Sequence, residues 1–271
     1  MSTLAAPDTP AEQTRVTGTL TVVGSGIKSV AHLTMEARAR IEWADQVLHC
    51  VADGVTDAYI RDLNPNTEDL HVYYGENKRR RQTYEEMAER MKFFVRQGRN
   101  TVVVMYGHPG VFVHPTYAAM DELREEGHRV EMLPGVSAED CLIADLGVDP
   151  AREGLQTYEA TAFLVRKITV DTHVPLVLWQ VGCVGDPGFN RAGFDGRNLH
   201  VLIERLCEMY GPGYEVVIYE AAQHPLAEPR IRVHRLEDIG PDDVTGISTM
   251  FVPPIAPAPV DREVAERLGL L

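Results

Sequence analysis

Lys78, Arg79, Arg80 and Arg81 form a run of cations in an acidic chain, and Tyr73, Tyr74 and Tyr84 bracket it. Most such runs are solvated faces. The tyrosines open a second reading. A guanidinium keeps its charge across the working pH range and donates in a fixed fork. A phenol can give or take a proton. Together they can steady negative charge on an oxygen while a proton moves nearby. A second constellation is Tyr106-Gly-His-Pro-Gly-Val-Phe112. It sets two aromatic faces and an imidazole, His108, beside Gly107 and Gly110. Bare glycine backbone can approach a ligand closely, and Pro109 stiffens the turn between.

Both constellations need elements that bring them together. Residues 101–105, Thr-Val-Val-Val-Met, read as a buried parallel strand running straight into the second one. Ligands of open α/β sheets bind just past the carboxyl ends of strands. The helix after the cationic run is expected to start near Thr83, which has capping-box spacing to Glu86. Tyr84, Met87, Met91 and Phe94 then line its inner face, and Gly98 ends it. A start one turn earlier sets Arg80 and Tyr84 on one face at i, i+4. From either start a guanidinium and several phenols can converge near the C-terminal edge of the sheet.

The rest of the first half alternates strand and helix. Strands are expected at 19–23, 46–51 and 129–133, and helices at 34–44, 56–63 and 115–126. The first strand ends in Gly24-Ser-Gly-Ile-Lys-Ser29. A dinucleotide fingerprint would place a glycine where Ser29 stands, so a tight turn into a helix explains the loop equally well. Ser137 suits an N-cap with Asp140 at the third helical position. Such a helix start can hold the polar end of a ligand or serve as a plain cap. The second half places strands at 155–158, 175–181, 216–219 and 247–252 and a helix at 199–210. Gln180-Val-Gly-Cys-Val-Gly185 again follows an apolar strand with glycines. Gln180 there is either an adenine or ribose partner or a buried amide satisfied by backbone. A stiff Pro-rich stretch and a short amphipathic tail close the sequence.

At 271 residues, with 44% hydrophobic and 24% charged content, the chain has ample material for one large or two medium domains. Its net charge of −14 argues against general nucleic-acid binding, which needs a basic field. Cys50, Cys141, Cys183 and Cys207 are far apart and form no metal-ligand spacing. They read as free thiols in a reducing cytoplasm, with no metal site. No apolar run reaches the length of a membrane span. The expected division is a disordered leader over 1–15, an N-terminal α/β domain over 16–134, a C-terminal α/β domain over 135–254 and a Pro-rich tail over 255–271.

Taken in order, residues 101–112, 134–140, the Gln180 turn and 248–254 look like the tetrapyrrole methylase superfamily. The resemblance covers roughly residues 17–254. It implies an α/β fold of two domains with S-adenosylmethionine in the cleft between them, and a homodimer. Narrower features, Tyr73-Tyr74…Arg80…Thr83-Tyr84 together with the blocks at 106–113, 132–142 and 180–185, are similar to the borosin peptide α-N-methyltransferases. Those omphalotin-like enzymes methylate backbone amides of a ribosomal peptide. Tetrapyrrole enzymes usually carry Gly-Asp-Pro where this chain has Gly107-His108-Pro109.

The resemblance implies that Arg80, Tyr84 and Tyr74 carry the chemistry. Arg80 would draw electrons through the peptide carbonyl and Tyr84 would take the amide proton, its pKa lowered by the guanidinium. Tyr74 would orient the peptide or join the same network. The cofactor contacts implied are Tyr106, His108, Val111, Phe112, Ser137, Ala138, Gln180, Ala221, Ser248 and Thr249, with S-adenosylhomocysteine as product. Fungal members carry their substrate peptide at their own C-terminus. Here the sequence ends soon after Pro254 with no apolar core segment, which resembles the split bacterial arrangement with a precursor peptide bound in trans. The alternative is a tetrapyrrole or diphthine-type methyltransferase of the same fold.

Overall fold

The computed structural model describes residues 17–76, 78–186, 188, 194 and 196–271. The leader expected over residues 1–15 lies outside them. The first half alternates strand and helix: β1 (Thr19–Gly24), α1 (Met35–Glu42), β2 (Gln46–Cys50), α2 (Gly54–Leu63), β3 (Thr67–Asp69), α3 (Arg80–Arg96), β4 (Asn100–Met105), α4 (His114–Glu125) and β5 (Arg129–Met132). The strands form one parallel sheet in the order β3-β2-β4-β1-β5. Period-two alternation sends the β4 side chains to two different cores. Val103 and Met105 pack with Met87, Met91 and Met120 of α3 and α4. Val102 and Val104 pack with Ile41 and Ile60 of α1 and α2. A strand buried on both faces has no need of polar residues, which is why 101–105 reads as an apolar run.

After α5 (Ala138–Leu146) and the short α6 (Pro150–Glu153) the style changes. β6 (Gln156–Glu159), α7 (Ala160–Val165), β7 (Leu176–Trp179), α8 (Leu199–Tyr210), β8 (Glu215–Glu220), β9 (Arg230–Arg235) and β10 (Thr249–Val252) come next, and α9 (Arg262–Arg267) closes the order. Their sheet runs β6-β7-β10-β8-β9, parallel only between β6 and β7. One face packs on Phe163, Leu202 and Leu206 of α7 and α8. The other carries Val177, Trp179, Tyr219 and Phe251 against Ile27 of the first half and Cys141 and Leu142 of α5. That shared cluster ties the two sheets together. No helix of the described residues is long and apolar enough to cross a membrane. The four cysteines are free thiols.

Two local expectations meet different outcomes. The helix start after the cationic run is the earlier one, at Arg80. Thr83 is buried inside α3, where its hydroxyl donates to the Tyr73 carbonyl at 3.4 Å, and Glu86 pairs with Lys78. The capping box at Thr83 therefore does not form. Ser137 does cap α5, accepting from the Asp140 amide at 3.2 Å while Asp140 accepts from the Ser137 amide at 2.6 Å.

His49, on β2, is 1% exposed, and neither ring nitrogen has a hydrogen bond. Its Nε2 lies 3.2 Å from Asp57 Oδ1 but off the line such a bond requires. Burial holds its pKa below the ordinary imidazole value, more than Asp69 and Asp57 raise it. A lowered histidine pKa means that folding favours the neutral ring. Its contribution to stability is complete above the unfolded-state pKa of about 6.5 and is lost as pH falls towards the folded value. Thermal unfolding of His49→Gln should therefore lose less melting temperature than wild type between about pH 6.5 and 5. Parallel curves would assign the acid limb to other groups.

Candidate functional site

β1, β2 and β4 are parallel and end together, and the loops after β1 and β4 build the floor of a cavity. Past β1, Gly26 exchanges backbone hydrogen bonds with Gly107 past β4, at 3.2 and 3.1 Å. Both glycines have positive φ, 73° and 69°, which a side chain would resist. A Cβ on Gly24 would stand 2.1 Å from the Gly107 carbonyl oxygen. The glycine pair of the first loop is thus a packing device that lets two strand ends lock together. The same loop reaches the other half, where the Ser29 amide donates to the Gln223 carbonyl at 2.9 Å.

The cavity above this floor has a volume of about 310 Å³ and takes walls from both halves. Tyr74, Tyr84, Tyr106, His108, Val111 and Phe112 line it from the first half, and Ser137, Ala138, Gln180, Ala221 and Thr249 from the second. Ser248 lies behind the wall, fully buried, accepting from the Thr245 amide at 2.7 Å and donating to Glu220. Arg80 lines an adjoining cavity of about 330 Å³ with Tyr84, Phe112 and Gln180, which belong to both. Tyr84 thus stands at a junction, neither it nor Arg80 being out in solvent.

Phe112 and Gln180, at that junction, have φ of 57° and 59°. The left-handed region costs a residue with a side chain about 1–2 kcal/mol. Strain of this kind persists where the surroundings over-determine a conformation, commonly around ligand sites.

The cations divide their work. Lys78 donates to the Tyr73 carbonyl at 2.7 Å and pairs with Glu86. Arg79 sits in a bridge with Gly188. Arg81 pairs with Glu85 at 2.8 Å on the surface. Arg80 turns inward: its Nε donates to the Gly188 carbonyl at 3.1 Å, and its guanidinium lies 5.5 Å from the centre of the Phe194 ring. The Cys183 thiol is close enough to feel this charge, although burial prevails and pushes it up to about 11.

The Tyr74 hydroxyl hydrogen-bonds to Tyr84. Burial raises the Tyr74 pKa well above the ordinary phenol value, and Arg80 opposes that only in part. Tyr74 therefore stays protonated. Tyr106 is also raised by burial, against a bond of 3.4 Å from Gln223. His108 Nδ1 accepts from the Gly110 amide at 3.0 Å. The neutral ring then carries its proton on Nε2, which makes His108 a donor in its turn and leaves it unsuited to act as a base there.

The wall residues outside the sequence-based set include Trp179, Cys50 and Glu139. Trp179 precedes Gln180 and stands 6.2 Å, ring to ring, from Phe112. Cys50 ends β2 in register with Met105. Glu139 follows Ala138 on α5, its carboxyl raised by burial and then by Asp140. The usable signals were adjacency to Gln180, a strand end level with Met105, and adjacency to the cap.

Comparison with known proteins places this architecture. The description "Tetrapyrrole (Corrin/Porphyrin) Methylases" matches residues 19–225. The chain belongs to the tetrapyrrole methylase family. Among solved structures, the uroporphyrin-III-C-methyltransferase from Thermus thermophilus superposes with a TM-score of 0.62 at 20% identity, over 93% of this chain and 96% of that one. That likeness shows the tetrapyrrole methylase fold. Curated relatives are far more similar in sequence. The methyltransferase/ribosomally synthesized cyclic peptide omphalotin A precursor of Omphalotus olearius is 44% identical over 94% of this chain and 62% of its own length. The methyltransferase/ribosomally synthesized type I borosin cyclic peptide precursor of Coprinopsis marcescibilis is 49% identical over 93% and 67%. This tetrapyrrole methylase thus spans about three-fifths to two-thirds of the length of those two relatives.

Proposed function

We propose that this chain is an S-adenosylmethionine-dependent methyltransferase that acts on backbone amides of a separate, ribosomally made precursor peptide. The observation that carries the reading is the junction at Tyr84, where a cavity suited to the cofactor meets one that holds a guanidinium. The relatives' names, which join a methyltransferase to a ribosomal peptide precursor, point the same way. Part of the reading is a homodimer of chains divided into domains at 16–134 and 135–254, in the cytoplasm.

The residues present fit the cofactor. Phe112, Trp179 and Tyr106 offer aromatic faces for a purine and for a cationic sulfur. Ala138 and Glu139 open α5, and first-turn backbone N–H groups have no acceptor within their own helix. The free amides there can take a carboxylate, against the repulsion of Glu139 and Asp140 in the same turn. No lysine or arginine lines this cavity among the described residues, so a positive ligand meets no repulsion at the wall. When bound, S-adenosylmethionine supplies an electrophilic methyl group.

An amide nitrogen is a weak nucleophile because its lone pair is delocalised into the carbonyl. Arg80 makes it a better one by donating to the carbonyl oxygen, where negative charge grows as the N–H proton leaves. It does so without ever losing its own proton. Tyr84, entering the step as phenolate, takes the amide proton at its oxygen and becomes the neutral phenol. Tyr74, kept protonated by burial, directs its hydroxyl at Tyr84 and fixes it.

Co-expression tests this reading. The partner to co-express is a short protein encoded beside this chain and ending in a Val/Ile/Ala-rich segment, if the locus carries one, and otherwise a synthetic peptide of that composition, and the readout is intact mass. Repeated methyl-for-hydrogen increments, localised to the backbone by fragmentation, are expected. An unchanged peptide alongside a methylated porphyrinoid would replace the peptide reading with a tetrapyrrole one.

A further inference from the structure

Each amide methylation leaves a proton on the phenol pair, and that proton has to reach water before the next round. Arg80 cannot take it, and Tyr74 stays protonated. The wall beside Tyr74 and Tyr84 is completed by the thiol of Cys50. Cys50 Sγ lies 3.5 Å from His71 Nε2. His71 Nδ1 lies 2.8 Å from Asp69 Oδ1, which also accepts the His71 backbone amide at 2.8 Å. The imidazole stands 6.1 Å, ring to ring, from Tyr74, and its side chain is 45% exposed. A cavity wall, a thiol, an imidazole, a carboxylate and solvent succeed one another in that order.

We infer that Cys50, His71 and Asp69 form the proton outlet of the methylation site, carrying the amide proton from the Tyr74–Tyr84 pair to water. The inference rests on the function proposed above. Asp69 accepts from Nδ1, so the neutral ring presents the Nε2 lone pair to the thiol. The S–H proton passes to Nε2 while a proton from the phenol pair, handed on through one cavity water, replaces it on sulfur. The imidazolium so formed stays paired with Asp69 through Nδ1 and loses its Nε2 proton to water, which restores the starting tautomer. The net change is one proton moved from cavity to solvent, with no electron transferred and the thiol restored. Burial pushes the Cys50 thiol up to about 12, so it hands protons on and does not rest as thiolate. Imidazole suits the outer position because it changes charge near neutral pH. His49, with Asp57 and Arg61 acting on it, is a further titratable group at this end of β2.

Two variants, His71→Gln and Asp69→Asn, test the outlet. Both residues are partly exposed, and thermal unfolding checks that each variant folds. With the peptide of the co-expression experiment, kcat should fall about 10²-fold in His71→Gln, the lower end of what proton-transfer groups contribute. KM for the peptide should be unchanged, and added imidazole should restore turnover. The wild-type kcat should fall as pH drops, and that limb should vanish in His71→Gln. Independently of methylation, alkylation of Cys50 by iodoacetamide, followed by peptide mapping, should slow about tenfold in His71→Gln, because the imidazole no longer accepts the thiol proton. Wild-type kcat, pH profile and alkylation rate in both variants of a working enzyme would remove the outlet and leave the proposed function standing. A wild-type chain that methylates no peptide would remove both, whatever the alkylation rates.

Discussion

Arg80→Ala should lower peptide methylation by about 10²–10³-fold, the scale seen when one donor to a developing oxyanion is removed. S-adenosylmethionine binding, read by isothermal titration, should stay within a few-fold of wild type. The separation comes from the two cavities. Arg80 lines the second, while the faces suited to the cofactor line the first. Arg80→Lys should not rescue. The guanidinium is aligned by its Nε bond to the Gly188 carbonyl and by the Phe194 face, and an ammonium offers neither the fork nor the flat stack. A merely structural Arg80 predicts the reverse pattern. Its loss would then remove a cation–π contact worth about 0.5–1 kcal/mol, lower the melting temperature slightly and spare turnover. Tyr84→Phe keeps the ring and removes only the oxygen that takes the proton, so a loss of about 10²–10⁴-fold is expected, again with the cofactor still bound. Retained turnover in both variants would sink the proposed chemistry.

The parallel sheet of the first half was legible because strands buried on both faces leave a strong apolar signal. Residues 101–105, expected as a strand, fall within β4 at Asn100–Met105. β3 and β9 were not read. β3 has three residues, Thr67–Asp69, none of them fully buried, so no pattern marks it. β9, Arg-Ile-Arg-Val-His-Arg, is a sheet edge with no buried residue, and its alternation resembles a charged loop. Two chemical features were also invisible. The start of α3 was ambiguous because Thr83 and Glu86 have capping spacing, yet tertiary contacts draw both away, to Tyr73 and Lys78. Cys50 carried no local signal. It matters only because β3 pairs with β2, Asp69 level with His49, and so brings His71 beside Cys50, a relation between residues distant in sequence.

Gly24→Ala should destabilise the fold by about 3 kcal/mol or more, the upper end for overpacking, because its Cβ would meet backbone that has little room to yield. The added carbon would lie 2.1 Å from the Gly107 carbonyl oxygen and 3.0 Å from Pro109 Cδ. For a chain of this size, such a loss lowers the melting temperature by about 6–12 °C. Two further substitutions separate collision from strain and from the general effect of removing glycine. Gly107→Ala meets only the tip of Ile27 at 3.3 Å but keeps a φ of 69°, so about 1–2 kcal/mol is expected. Gly54→Ala opens into free space at the start of α2, so stability should be unchanged or raised by about 0.4–1 kcal/mol. The order matters for function as well. The Gly26–Gly107 exchange forms the cavity floor, so Gly24→Ala should weaken cofactor binding even below its melting temperature. Gly54→Ala should not. Equal melting curves for Gly24→Ala and Gly54→Ala would mean that the two strand ends are not locked together, and the cavity would then need another support.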